Sequence, residues 1–302
     1  MAVIAGPTAS GKSALALALA QQIGGVIVNA DSAQVYRELR VLSAAPTADD
    51  IRRAEHRLYG VQDGALPCSA ADWATMAARE IADVQSAGRV PILVGGTGLY
   101  LRTLLEGIAP VPAIDPDVRA RVRGTMIDEN HAKLRALDPA AAARLKPNDS
   151  ARINRALEVI LSTGRTLAEW QKEREGGIGD QVELRAIILL PPRKWLYARC
   201  DERFARMIEE GAVTEVEALL ARTLNPNLPV MRAIGVRELT AYLLGQSTLD
   251  EAVAAGQQAT RRYAKRQYTW FAHQPPAAWP RFKEALDLDR LGDALAVLDP
   301  KG

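Results

Sequence analysis

Residues 6–13, Gly6-Pro7-Thr8-Ala9-Ser10-Gly11-Lys12-Ser13, satisfy the phosphate-loop pattern G-x-x-x-x-G-K-[ST] at every position. An apolar run, Ala2-Val3-Ile4-Ala5, precedes the loop and reads as a short buried strand; Ala14-Leu15-Ala16-Leu17-Ala18-Leu19-Ala20 follows it and is built from strong helix formers. In that setting the glycines let backbone N–H groups turn inward around phosphate oxygens, and the helix N-terminus adds partial positive charge. Lys12 is placed to reach the phosphates, and Ser13 to offer its hydroxyl to Mg2+. The pattern fixes a parallel α/β core and a phosphate ligand, but not which one.

The bulk numbers exclude several classes. A chain of 302 residues, 48% hydrophobic and 25% charged, has room for one large α/β domain or a core with a smaller companion. Its net charge of +2 points to no partner, so any nucleic-acid surface has to come from local clustering. Cys68 and Cys200 are too few and too far apart for a zinc site or a disulfide framework. No apolar run approaches the ~18 residues of a membrane span, and residues 1–5 lead directly into the loop without a signal peptide, so a cytoplasmic protein is expected.

Along the chain, Val26-Ile27-Val28 reads as a second strand ending at Asp31, Ser69 as the cap of a helix over roughly 70–87, and Val90 to Val94 as a buried strand ending in Gly95-Gly96-Thr97-Gly98. Leu99 to Leu105 resumes as helix. Strands alternating with helices imply a parallel sheet with ligands at the carboxyl ends of its strands, where the loop, Asp31 and Thr97 all fall. Pro110, Pro112 and Pro116 mark a boundary; residues 117 to about 175 read as short helices, and Ala186 to Leu190 returns to a core strand. The expected organisation is therefore a P-loop NTPase-like parallel-sheet core, 1–113 and 183–302, with an all-helical insertion at 114–182. From Trp195 onward the chain reads as nearly all helical.

Several side chains could carry chemistry. Asp31 could orient an acceptor, hold a metal, take up a proton, or simply cap its own turn with Ser32. Arg199, Arg203 and Arg206 share one helix stripe and could neutralise a leaving group, or form a solvated face paired with Asp201, Glu202, Glu209 and Glu210. The stretch 261–271 interleaves four basic residues with aromatics and contains no acid, as a phosphate-backbone surface would; Arg152 with Arg155 and Arg232 with Arg237 are further basic spots.

Taken together, residues 6–13, Asp31-Ser32-Ala33-Gln34-Val35-Tyr36, Gly95 to Tyr100, Pro147-Asn148-Asp149, Arg152 to Val159, Ala233-Ile234-Gly235 and Ala264 to Trp270 resemble, in collinear order, the tRNA dimethylallyltransferase family. The resemblance implies transfer of a five-carbon prenyl group from dimethylallyl diphosphate to the exocyclic N6 amine of the adenosine immediately 3′ of the anticodon. It reassigns Gly6, Pro7, Thr8, Ala9, Ser10, Gly11, Lys12 and Ser13 to the diphosphate of that donor, with Mg2+ held through Ser13. It makes Asp31 the general base and gives Arg203 a contact to the diphosphate. For tRNA it implicates Asp31, Ser32, Ala33, Gln34, Thr97 and Arg119; Ala151, Arg152, Ile153, Asn154 and Arg155; and Met231, Arg232, Ala233, Ile234, Gly235, Val236, Arg237 and Glu238, with the insertion gripping the anticodon stem-loop. A monomer of bacterial type, lacking a zinc-finger extension after Trp270, is implied.

The chain departs from common family motifs at Ala45, Arg57 and Val236. Three rivals remain at this level: a small-molecule or nucleotide kinase on the same core, an adenylate isopentenyltransferase acting on free AMP or ADP, and a non-catalytic nucleic-acid-binding module. The last leaves the intact loop and Asp31 unexplained.

Overall fold

The protein is described by a computed structural model covering residues 1–287 and 289–298; Leu288 and 299–302, within the span expected for the core, lie outside the described residues. Its contacts divide the chain into two compact units, one of residues 1–104 and 179–302 and one of residues 105–178.

The larger unit is built on a parallel sheet of β1 (Ala2–Ala5), β2 (Val26–Asn29), β3 (Glu55–Arg57), β4 (Pro91–Gly95), β5 (Arg185–Leu189) and β6 (Arg281–Phe282), in the order β3-β2-β4-β1-β5-β6. The four inner strands are short and almost wholly apolar, as strands buried on both faces must be. Alternation sends Ile4, Ile27, Ile92, Val94 and Ile187 into one core cluster with α1 (Lys12–Ile23), leaving Val3, Val28, Leu93 and Ile188 buried on the opposite side of the pleat. The two edge strands are absent from the sequence reading: β3 reads Glu-His-Arg and β6 Arg-Phe, too short and too polar to register as hydrophobic runs. β6 also corrects the expectation of a nearly all-helical C-terminal part.

The remaining helices, in chain order, are α2 (Ala48–Arg53), α3 (Ala70–Ser86), α4 (Gly98–Glu106), α5 (Pro116–Gly124), α6 (Ile127–Leu137), α7 (Pro139–Arg144), α8 (Ser150–Thr163), α9 (Leu167–Trp170), α10 (Arg193–Glu209), α11 (Ala212–Ala221), α12 (Val236–Leu243), α13 (Leu249–His273) and α14 (Leu291–Ala296). Their starts follow capping chemistry. Ser69, Thr166 and Thr248 each close a capping box with an acid three residues on, and Asp115, Asp138 and Asp149 accept backbone N–H groups at the heads of α5, α7 and α8. α5 to α9 form the smaller unit, around Val118, Val122, Leu134, Ile153 and Leu157.

One close approach decides where Asp31 lies. A Cβ on Gly95 would overlap the carbonyl of Ala30, and the N–H of Thr97 donates to that same carbonyl at 3.2 Å. Only glycine at the end of β4 lets the chain leaving β2 settle against it. Gly95→Ala is expected to destabilise the larger unit by about 1–3 kcal/mol, the usual cost of overpacking, seen as an earlier urea midpoint.

Candidate active site

The phosphate loop leaves β1 through Gly6, at φ 149°, where a Cβ would stand 2.5 Å from the carbonyl of Leu189. Ala9 adopts φ 62°, a left-handed conformation that costs a non-glycine residue strain, and it is held there from both sides. Its methyl packs with Leu196, Cys200 and Ala264, and Arg199 donates Nε–H to its carbonyl at 3.3 Å while lying over the Trp195 ring. α1 then opens on Gly11 with no side-chain cap, so its first N–H groups stay available to an anion. Ser10 Oγ is buried without a hydrogen-bond partner in the same loop. A buried, unsatisfied hydroxyl is costly unless a ligand oxygen completes it.

Lys12 donates Nζ–H to the Pro7 carbonyl at 2.6 Å, curling back over the loop. Burial lowers its pKa to about 8; the nearby Asp31 carboxylate works against that shift and Arg203 adds to it. Burial likewise lowers the pKa of Arg203, again opposed by Asp31. Two desolvated cations and one carboxylate thus share the site, and the carboxylate is outnumbered. An entering anion is favoured there.

Asp31 is fixed through its backbone by Asn29, wholly buried, whose Oδ1 accepts the Asp31 N–H at 2.7 Å and whose amide donates to the Asp31 and Leu58 carbonyls, both at 3.0 Å. Trp73, stacked on Tyr100, donates its indole N–H to the Asn29 carbonyl at 3.0 Å. Asp31 Oδ1 also accepts the Ala33 N–H at 3.0 Å, so the turn-capping role does exist. One carboxylate oxygen is occupied in this way, and the side chain still lines a cavity. Thr97 closes the other side, its Oγ1 accepting the Ser32 N–H at 3.0 Å.

That cavity, about 310 Å³, is polar where Asp31, Thr8, Arg203 and Arg266 border it and apolar beyond, at Leu39, Leu42, Phe204, Met207 and Ile234. Tyr36, Tyr100 and Tyr263 add phenols whose pKa values burial pushes up, and burial raises the Cys200 thiol to about 11, so these walls stay neutral. A wider cleft of about 1240 Å³ shares Arg232, Ala233 and Ile234 with it and is also bordered by Arg237 and Arg262.

The arginine stripe of α10 divides its roles. Arg203 enters the cavity, Arg199 supports the loop, and Arg206 is exposed; Asp201, offered above as a partner for the stripe, pairs with Arg261 instead. That pairing removes one of the four basic groups expected to form a free surface on 261–271, and Ala264, Gln267 and Phe271 of the same helix are buried. Among the residues expected to meet RNA, Ile153 and Val236 point into cores and the Gln34 amide is committed to the Ser43 and Ala44 carbonyls. In the smaller unit Arg119 and Arg123 face the buried carboxylate of Glu158, at 4.0 and 2.8 Å. Burial lowers the pKa of Arg155, with Glu158 working against the shift. Arg152 pairs with Asp149 at 3.1 Å, and Asn154 accepts from Asn130 at 3.0 Å.

The sequence reading missed Asn29, Gln267 and Tyr263. The available signals were a lone asparagine ending an apolar strand and a glutamine at the core spacing of α13.

Among the described residues no three His, Cys, Asp or Glu side chains converge on one point as a metal cage, and none forms a membrane-length apolar helix. A cation here would rest on the exposed Ser13 hydroxyl and on ligand oxygens, which suits Mg2+, a metal that keeps water and phosphate ligands.

A phosphate loop on a parallel sheet, an acid at the end of β2 and an apolar pocket beside them are the parts of a P-loop transferase able to seat a phosphorylated ligand that carries an apolar group. Comparison with known proteins narrows the class. The family model described as IPP transferase matches residues 34–274. The chain is 61% identical over 298 residues to the tRNA dimethylallyltransferase of Sphingopyxis alaskensis, covering 98% of this chain and 97% of that one. It is 59% identical over 302 residues to the enzyme of the same name from Erythrobacter litoralis, covering 98% and 95%. Among solved structures, it resembles the tRNA isopentenylpyrophosphate transferase of Bacillus halodurans, with a TM-score of 0.70, 32% identity and coverage of 98% and 96%. It also resembles a eukaryotic dimethylallyltransferase acting on tRNA, with a TM-score of 0.81, 26% identity and coverage of 98% and 76%. The chain belongs to the tRNA dimethylallyltransferase family.

Proposed function

We propose that this chain transfers the dimethylallyl group of dimethylallyl diphosphate to N6 of the adenosine immediately 3′ of the anticodon in tRNA. The observation that carries the reading is the cavity itself: the Asp31 carboxylate and the half-buried Arg203 guanidinium beside the phosphate-loop residue Thr8, opening into an apolar chamber of about 310 Å³. A kinase has no use for the apolar chamber. A free-AMP enzyme has little use for the arginines of the wide cleft or of the helical insertion.

The donor's diphosphate binds residues 6–13, with Lys12 and Arg203 against the charge that grows on the leaving oxygen, and its prenyl tail lies among Leu39, Leu42, Phe204 and Met207. The adenine is flipped out of the anticodon stack to bring its amine between Asp31 and the allylic carbon. The C–N bond forms as the C–O bond to diphosphate breaks. Asp31 takes the N6 proton, which keeps a weakly nucleophilic amine from becoming a charged product. The family's chemistry uses a divalent cation; Mg2+ on Ser13 would supply further neutralisation of the diphosphate. Ser32, Ala33, Gln34 and Thr97 border the adenosine, Ile153 and Val236 contribute through backbone only, and the helical insertion, 114–182, grips the stem-loop through Arg119, Arg152 and Arg155. The protein acts as a cytoplasmic monomer.

The half-buried Lys12 gives this reading a pH signature. Its free-state pKa of about 8 means that it is charged below that pH and loses its proton above. Donor affinity is therefore expected to be flat from pH 6.5 to about 8 and then to fall about tenfold per unit, since only the protonated form binds well. Calorimetric titration of a non-reactive prenyl diphosphate across that range checks it, and Lys12→Arg should flatten the curve.

The reading itself is tested with labelled dimethylallyl diphosphate offered to unmodified tRNA and, separately, to AMP. Label in tRNA supports it. Label in AMP alone keeps the chemistry and changes the acceptor, and turnover of ATP with no prenyl transfer returns the loop to a kinase.

A further inference from the structure

α13 presents one side chain to each of three consecutive residues of the turn that follows β4. The Tyr263 phenol lies beside Thr97, the Gln267 amide donates to the Gly96 carbonyl at 2.8 Å, and the Trp270 ring occupies the space where a Cβ on Gly98 would stand. The spacing 263, 267, 270 puts all three on one helix face.

Gln267 does more than hold that turn. Its Oε1 accepts the N–H of Thr8, inside the phosphate loop, at 2.8 Å. The amide's orientation follows from its partners, because an N–H must face oxygen and a carbonyl must face NH2. The side chain is 5% exposed, so neither bond can be replaced by water at little cost. A Cβ on Gly96 would collide with this amide, so the glycine makes room for it. From Gly96 the connection runs one residue to Thr97, whose hydroxyl takes the Ser32 N–H beside Asp31. A single buried carboxamide thus ties the loop on the donor side to the turn that braces the acceptor side.

We propose that Gln267 is a positioning residue for prenyl transfer: its amide bridge from Thr8 to Gly96 sets the phosphate loop in the shape that binds the donor diphosphate. By taking the Thr8 N–H out of circulation it also leaves the later N–H groups of the loop as the diphosphate's donors. The inference rests on the donor-site reading above, and the experiment separates the two.

In Gln267→Glu the acceptor for Thr8 is kept while the donor to Gly96 is lost; Gln267→Met keeps the length and loses both. The readouts are calorimetric binding of inorganic diphosphate with Mg2+, without tRNA, and steady-state constants for each substrate, with thermal unfolding followed alongside. The expected result is tenfold or greater weakening of diphosphate binding and a matching rise in KM for dimethylallyl diphosphate, with KM for tRNA changed less than twofold. Gln267→Glu should retain more affinity than Gln267→Met. A folded variant that binds diphosphate as the parent does, or that loses both substrates equally, overturns the positioning role. A parent protein that binds no diphosphate overturns the donor site instead. If Gln267→Glu fails to fold, the Met variant carries the same comparison.

Discussion

Asp31→Asn is expected to lower kcat for prenyl transfer by about 10²–10⁴-fold, the range general-base catalysis usually supplies, and to leave donor binding intact. Asparagine keeps an oxygen for the Ala33 N–H, so the turn that now accepts that bond at 3.0 Å should survive. What disappears is the carboxylate that receives the N6 proton. The sign of the donor effect is informative too. Asp31 is the one carboxylate among Lys12 and Arg203 in the site, so removing its charge removes repulsion toward a diphosphate, and KM for the donor should stay level or fall. A variant that loses kcat and donor affinity together would mean Asp31 serves the loop's architecture. Single-turnover transfer with saturating tRNA, beside donor binding by calorimetry, makes the distinction.

The second large effect belongs to Arg203. It lines the cavity, donates one bond among the described residues, Nη2 to the Ser43 carbonyl at 3.4 Å, and so has most of its guanidinium fork available. Arg203→Gln is expected to cost about 10²–10³-fold in kcat, the scale measured when one preorganised donor to a developing anion is removed. KM for the donor should rise as well, since the diphosphate is charged before it leaves. Arg203→Lys should recover only part of the loss, because an ammonium cannot present the planar fork. The pH profile divides the two cations: loss above pH 8 is carried by Lys12, whose pKa lies near there, while a guanidinium stays charged throughout. An Arg203→Gln enzyme that keeps the parent's kcat would remove this residue from the leaving-group site.

The core was legible from the sequence where local chemistry and tertiary demand agree. The phosphate loop, the capping box at Ser69 and the buried runs at 91–95 and 185–189 state their conformations locally, and the helices and strands lie where the pattern puts them. β3 and β6 were illegible because an edge strand needs one partner and no apolar face, so Glu55-His56-Arg57 looks like a charged surface segment. The site was legible in its ionic parts and not in its supports. Asp31 and Arg203 stand out as charges in a motif, whereas Asn29 and Gln267 work through bonds to backbone atoms distant in sequence; a glutamine at the core spacing of α13 signals burial, but not that its amide spans from Thr8 to Gly96. The basic run of α13 misled in one respect for the same reason: its helical face was visible, but the pairing of Arg261 with Asp201 was not.

The relatives named for tRNA and the arginine-lined cleft beside the cavity point to the same acceptor, so the most direct measurement concerns that atom. An unmodified anticodon stem-loop is incubated with the protein, Mg2+ and dimethylallyl diphosphate, digested to nucleosides and examined by mass spectrometry, beside a stem-loop carrying guanosine in place of the adenosine 3′ of the anticodon. The account requires one C5H8 unit on N6 of that adenosine, none in the substituted stem-loop, and none with Asp31→Asn on the same timescale. Prenylation of other adenosines, or product that survives the guanosine substitution or the loss of the Asp31 carboxylate, would contradict it.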